Sequence, residues 1–288
     1  MALLKKPSNT IVFQGRLGAY SHLACQQVFP KMYARPVQTF EEMFAAVENR
    51  RAKYAMTPIE NSVAGRVADI HRLMPESGLF IVQEHFMRVE HHLLGLNEAS
   101  LKSIKVARSH IHALAQCRSF IEKLKFTAIV HADTAGAAEE ISKQGDHTEA
   151  AIASKLAGEI YGLKSLKSNI EDADHNRTRF LILARRPVKQ KQGKGPYVTS
   201  FVFRVRNVPA ALYKALGGFA TNGVNMTKLE SYMVRGSFNA TQFYADVDGH
   251  PEQTKLKLAL DELTFFSHEV RILGTYPADA YRRKNQKV

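Results

Sequence analysis

Hydrophobic and polar positions change register again and again along the first 185 residues, from every second position to every third or fourth. TIVFQG (10–15) has the apolar run of a strand, and SHLACQQVFP (21–30) reads as a helix closed by Pro30. FEEMFAAVENRRA (40–52) sets Met43, Phe44 and Val47 on one side of a helix, and YAMTPIE (54–60) returns to a strand. SVAGRVADIHRLM (62–74) is read as a helix, with Val63, Val67, Ile70 and Leu73 at helical steps. IKVARS (104–109) and TAIVHA (127–132) are strands around a helix at HALAQCRSFIEKL (112–124). TAGAAEEISKQ (134–144) and EAAIASKLAGEIYG (149–162) are read as helices, the second stopped by Gly162, and FLILA (180–184) as a last strand. Such alternation predicts an α/β region with parallel sheets.

The last ninety residues carry a different pattern. VTSFVFRVR (198–206) is a strand, after which Asn207 is expected to cap a helix bearing Pro209 in its first turn and Leu212, Leu216 and Phe219 on one face. Gly223 stops it. NMTKLESYM (225–233) and NATQFYADV (239–247) are strands joined at Arg235-Gly236-Ser237. A second helix from about Pro251 to Leu263 and a strand at HEVRILGTY complete the order βαββαβ, a four-stranded sheet with both helices on one face. Pro187, Gly193, Gly195 and Pro196 among lysines and glutamines mark the boundary between the two regions.

Composition narrows the classes. Of 288 residues 45% are hydrophobic and 23% charged, as in water-soluble globular proteins, and no apolar run reaches the roughly 20 residues of a membrane span. The first residues, MALLKKPSNT, lack the apolar core of a signal peptide, and Cys25 and Cys117 read as reduced thiols, so a cytoplasmic location is expected. A net charge of +13 suggests nucleic acid, but nine of those charges lie in 185–196 and 281–288, a linker and a tail. What remains suits a small anionic substrate. GxGxxG, P-loop, GxSxG and HExxH motifs are absent from the sequence, and no Cys/His or paired-carboxylate arrangement stands out among the 12 histidines and the acids. Chemistry without a nucleophile, metal or cofactor is the expectation.

Three junctions place small polar residues where a helix is expected to begin: Ser21 after GRLGAY, Asn61 and Ser62 in TPIENSVAG, and Thr134 after VHAD. Helix N-termini offer unpaired N–H groups to carboxylates, although ordinary capping uses the same residue types. At DHNRTRFLIL (174–183) an arginine–threonine–arginine triplet enters an apolar strand. Strand alternation puts Arg177 and Arg179 on one face and Thr178 on the other. At most Thr178 and one arginine reached around a bend can then act together.

These stretches resemble the prephenate dehydratases of the monofunctional type, which carry a C-terminal ACT domain. The carriers are GRLGAYSHLA (15–24), TPIENSVAGRV (57–67), SHIHALAQC (109–117), AAIASKLAGEIYGL (150–163), NRTRFLIL (176–183) and NVPAALYKAL with NMTKLES (207–231). PIENS and TRF in this order, ahead of a βαββαβ unit, are highly specific. The resemblance implies a two-lobed catalytic region like periplasmic binding proteins over residues 9–185, with lobes of about 9–90 plus 166–185 and of 91–165. A linker at 186–196, an ACT domain of ferredoxin-like topology at 197–278 and a basic tail at 279–288 follow. It implies conversion of prephenate to phenylpyruvate on the way to phenylalanine, with the catalytic roles on Thr178, Asn61, Ser62 and Arg179. Substrate contacts are implied for Ser21, Glu60, Phe180 and His112. Phenylalanine as effector is implied at Ala210, Ala211, Leu212, Asn225, Glu230 and Ser231, and a homodimer or homotetramer as the assembly. His112 stands where the family has glutamine, Ala210 where it has glycine, and Tyr232-Met233 where it has Arg-Pro. Arogenate as substrate, and a binding module without catalysis, are the competing readings.

Overall fold

A computed structural model describes residues 6–188, 195–233 and 240–285. In chain order the first elements are β1 (Thr10–Gln14), α1 (Tyr20–Val28), β2 (Tyr33–Val37), α2 (Phe40–Glu48), β3 (Tyr54–Asn61), β4 (Gly65–Arg66), α3 (Ala68–Glu76), β5 (Phe80–Arg88) and β6 (His92–Gly95). There follow β7 (Val106–Ser109), α4 (Ile111–Gln116), α5 (Arg118–Leu124), β8 (Thr127–Val130), α6 (Thr134–Gln144), β9 (Glu149–Ala153), α7 (Lys155–Tyr161), β10 (Lys164–Lys167) and β11 (Arg177–Ala184). The rest is β12 (Tyr197–Val205), α8 (Ala211–Thr221), β13 (Met226–Met233), β14 (Ala240–Asp248), α9 (Thr254–Phe266), β15 (Ser267–Pro277) and α10 (Ala280–Asn285).

The strands form three sheets: β2-β1-β3-β11-β5 with β4 paired to β3, then β10-β6-β9-β7-β8, then β13-β14-β12-β15. The fold is α/β, with two sheets followed by a C-terminal antiparallel sheet of βαββαβ order. The first two sheets are mixed rather than parallel. β1 runs parallel to β2 and β3, and β7 parallel to β8 and β9, but β6 lies antiparallel to β9 and β10 antiparallel to β6. The chain clusters into two compact units, residues 1–67 with 86–180 and residues 68–85 with 181–288, the division falling within β5 and β11.

Local chemistry explains most elements. Thr39 Oγ1 accepts from the Glu42 N–H at 3.1 Å while the Glu42 carboxylate accepts from the Gln38 N–H at 3.0 Å, which starts α2. Asp133 rather than Thr134 caps α6, accepting from the Gly136 N–H at 2.6 Å. Gly162, at φ 69°, ends α7.

Two expected helices are corrected. EAAIASKLAGEIYG divides into β9 and α7: Ala150, Ala151, Ile152 and Ala153 are wholly buried in mid-sheet, and Ser154 then caps the helix. Burial overrides alanine's helical preference there. SVAGRVADIHRLM gives a turn and β4 before the helix begins at Ala68, because Asn61 binds the following main chain. In the C-terminal region Asn207 does not cap α8. The cap position is Ala210, left-handed at φ 59° and without a side-chain bond. The turn at Arg235-Gly236-Ser237 lies outside the described residues, though β13 and β14 pair antiparallel as expected. Linker residues 189–194 are likewise outside them. The tail is not simply solvated: Arg282 Nε lies 2.7 Å from Glu84 Oε1, whose side chain is wholly buried.

Candidate active site

The site is built where β3 ends beside the start of β11. Asn61 closes β3 with its Oδ1 accepting the N–H groups of Val63 at 2.9 Å and Ala64 at 2.8 Å. Such a turn uses a short amide in place of a main-chain carbonyl. With Oδ1 committed, Nδ2 carries two protons elsewhere: one to Asn176 Oδ1 at 2.8 Å, the other to Thr178 Oγ1 at 3.0 Å. Thr178 therefore accepts from Asn61, and its own hydrogen remains to be donated. Ser62 ties the turn to β11: its N–H donates to the Arg177 carbonyl at 2.8 Å, its hydroxyl to the His175 carbonyl at 3.0 Å, and it accepts the Arg177 N–H at 2.9 Å.

Strand alternation holds at 177–179, with a consequence for Arg179. Instead of bending toward Thr178, its guanidinium stays on the opposite face, 1% exposed, 3.0 Å from Glu60 Oε1 and over the Phe86 ring at 5.8 Å. Glu60 and Asn61 alternate in the same way, so each face of the β3–β11 pair receives one partnership. Arg179 is placed to orient Glu60, itself 30% exposed, rather than to clamp a ligand beside Thr178. Arg177 is half-buried and held through its main chain.

The other expected residues are spread more widely. Phe180 is 1% exposed and belongs to the core, not to a ligand surface, because it follows Arg179 into the buried strand. Ser21 is half-buried in the first turn of α1, whose cap residue Ala19 supplies no side-chain acceptor. His112 is exposed at the start of α4, stacked on His110 at 5.1 Å between ring centres, and its N–H donates to His110 Nδ1 at 3.3 Å. Burial pushes the His110 imidazole down from its usual range.

Sequence reasoning missed the side chains behind Asn61. Asn176, 1% exposed, donates from Nδ2 to Gln116 Oε1 at 2.9 Å, and Gln116 Oε1 also lies 2.9 Å from His91 Nε2. The available signal was helical: Gln116 is four residues after His112, one turn further along α4.

The effector candidates separate along the antiparallel sheet. Ser231 pairs with Phe243 and Glu230 with Tyr244, while Asn225 lies at the other end, its Nδ2 donating to Asp248 Oδ2 at 2.8 Å. Ala210, Ala211 and Leu212 start α8, at the end of the sheet where β12 finishes. Asn225, Asp248 and Lys255 line a cavity of about 370 Å³.

A threonine hydroxyl that accepts from a part-buried amide network and keeps its own proton for a further acceptor, in an α/β region followed by a βαββαβ unit, suits an enzyme acting on a small polar ligand. The sequence model of the prephenate dehydratase family matches residues 11–188. A bifunctional N-acyl-homoserine lactone acylase/prephenate dehydratase of Komagataeibacter europaeus is 54% identical over 274 residues, spanning 95% of this chain and 98% of that protein. Arogenate dehydratase/prephenate dehydratase 1, chloroplastic, of Arabidopsis thaliana is 40% identical over 286 residues, spanning 94% and 73%. The solved prephenate dehydratase from Arthrobacter aurescens in complex with L-Phe is 28% identical, spans 93% of this chain and 90% of that one, and superposes with a TM-score of 0.86.

The chain belongs to the prephenate dehydratase family. Its reaction is the family's, loss of carbon dioxide and the ring hydroxyl from prephenate to give phenylpyruvate for phenylalanine biosynthesis. Among the described residues no helix is long and apolar enough to cross a membrane, and no group of acids, histidines and cysteines is arranged to hold a metal ion.

Proposed function

We propose that Thr178 donates a hydrogen bond to the ring hydroxyl of prephenate as it departs. The carboxylate carbon–carbon bond supplies the electron pair that aromatises the ring, and the ring carbon–oxygen bond breaks as that pair enters. The observation that carries this reading is the direction of the bond from Asn61 Nδ2 to Thr178 Oγ1, which leaves the hydroxyl proton for the substrate. A threonine is a weak acid, so positioning and fixed dipoles supply most of the rate. The uncapped first turn of α1, with Ser21, suits one of the two carboxylates. Arg179 acts at one remove, by holding Glu60.

Phenylalanine bound by the βαββαβ domain regulates the enzyme in this reading, supported by the L-Phe complex of the Arthrobacter aurescens relative. Ala210, Ala211 and Leu212 with Glu230 and Ser231 form one end of that site, and Asn225 belongs to the other end of the sheet. The protein is cytoplasmic, with two buried reduced cysteines, and works as a homodimer or homotetramer. A second activity, hydrolysis of an N-acyl-homoserine lactone, is supported by the Komagataeibacter europaeus relative and is tested by release of homoserine lactone.

The decisive experiment is an ultraviolet product assay with prephenate and with arogenate, on the wild type and on Thr178→Ala. Prephenate is expected to be the better substrate, and Thr178→Ala to lower kcat by about two to four decades. Near-normal kcat in a folded Thr178→Ala variant removes Thr178 from the reaction.

A further inference from the structure

Hydrogen-bond polarity can be followed outward from Asn61 to a residue far along the chain. Two main-chain donors fix Asn61 Oδ1, so Asn61 Nδ2 donates to Asn176 Oδ1. Asn176 must then present Nδ2 to Gln116, and it meets Oε1 at 2.9 Å. Gln116 Oε1 faces His91 Nε2 at 2.9 Å, and an oxygen there requires that nitrogen to carry hydrogen. Burial pushes the His91 imidazole down from its usual range, which keeps it neutral, so Nδ1 is the acceptor. Nδ1 lies 2.7 Å from the Tyr20 hydroxyl, whose single proton faces both that nitrogen and the Glu90 carbonyl at 2.9 Å. The ring is edge-on to Tyr20 and 2% exposed, and the His91 main-chain N–H donates to Glu171 Oε2 at 2.9 Å. Every link from His91 to Thr178 thus has one allowed direction.

We propose that His91, held by Tyr20, is a positioning residue for the dehydration: it fixes Gln116, and through Asn176 and Asn61 the direction in which Thr178 offers its hydrogen. The role rests on Thr178 being the donor, as proposed above. His91 touches no substrate. Without its Nε2–H, the Gln116 amide loses the partner that holds its oxygen toward Asn176. A reversed Gln116 sets its amino group against the Asn176 amino group, and the conflict passes to Asn61.

The test is steady-state kinetics with prephenate on full-length His91→Phe, His91→Gln and Thr178→Ala. His91→Phe is expected to lower kcat by about 10-fold to 100-fold, with KM within about twofold, as displacement of a reacting group from a distance does. His91→Gln sets an amide donor within reach of Gln116 and is expected to recover kcat to within about threefold of wild type. Equal losses in the two variants, a loss confined to KM, or an unchanged kcat in His91→Phe would each overturn the inference. Should His91→Phe fail to fold, His91→Asn, polar but too short to reach Gln116, carries the same expectation. A slow Thr178→Ala beside a normal His91→Phe sinks the positioning role alone. A normal Thr178→Ala sinks the underlying reading as well.

Discussion

Asn61→Asp separates the turn from the chemistry at the centre of the site. An aspartate keeps one oxygen for the N–H groups of Val63 and Ala64, 2.9 and 2.8 Å away, so the turn between β3 and β4 survives. The second oxygen replaces Nδ2 and faces Asn176 Oδ1 and Thr178 Oγ1, now 2.8 and 3.0 Å from a donor. Both bonds donated by Nδ2 are lost, about 1 kcal/mol each, and only the Thr178 contact can be remade by reversal, so stability should fall by about 1–2 kcal/mol. Thr178 can satisfy the new carboxylate only by turning its proton toward it, and the leaving oxygen then meets a lone pair. Losing one preorganised donor costs about 2.7–4 kcal/mol of barrier, or about two to three decades in kcat. Phenylpyruvate formation by ultraviolet absorbance gives kcat, and a urea titration gives the stability loss. A folded Asn61→Asp variant with kcat within about threefold of wild type would falsify the polarity argument, because that variant has no donor left for Thr178.

Two further changes probe the C-terminal unit. Ala210 sits at φ 59°, a left-handed conformation that costs a side-chain-bearing residue about 1–2 kcal/mol, partly offset by glycine's greater freedom when unfolded. Ala210→Gly should therefore raise the urea midpoint by the equivalent of about 0.5–1 kcal/mol at unchanged m, and a lower midpoint would show that the alanine is not strained. Arg282→Ala removes the guanidinium 2.7 Å from Glu84 and 3.7 Å from Asp246, two carboxylates with wholly buried side chains. Breaking a buried pair costs about 3 kcal/mol, whereas a loss under about 0.5 kcal/mol would return Arg282 to the solvated tail that composition alone suggests.

Why some of this could be read from the chain and some could not follows from the range of the forces involved. VTSFVFRVR announces β12 because its β-branched and aromatic residues are locally suited to the strand they form, with Phe201 and Phe203 buried. AAIA at 150–153 gives no such notice: its strand exists only because β6 and β7 flank it, a contact between distant segments. β2 hid behind Pro36, tolerated because β2 is the edge of its sheet and each of its residues is half-buried. The same division runs through the site. Thr178 and Asn61 stood out as polar residues at the ends of apolar strands. Thr178 and Arg179 parted because the alternation of a strand is local and obligatory. Asn176, Gln116 and His91 are ordinary polar residues in the sequence, and their meaning lies in the order of donors and acceptors across segments 60 and 25 residues apart. Periodicity has no sign, but a hydrogen bond has one. Only once the Val63 and Ala64 N–H groups fix Asn61 Oδ1 does each amide behind it acquire a direction, and with it the proton that Thr178 can give.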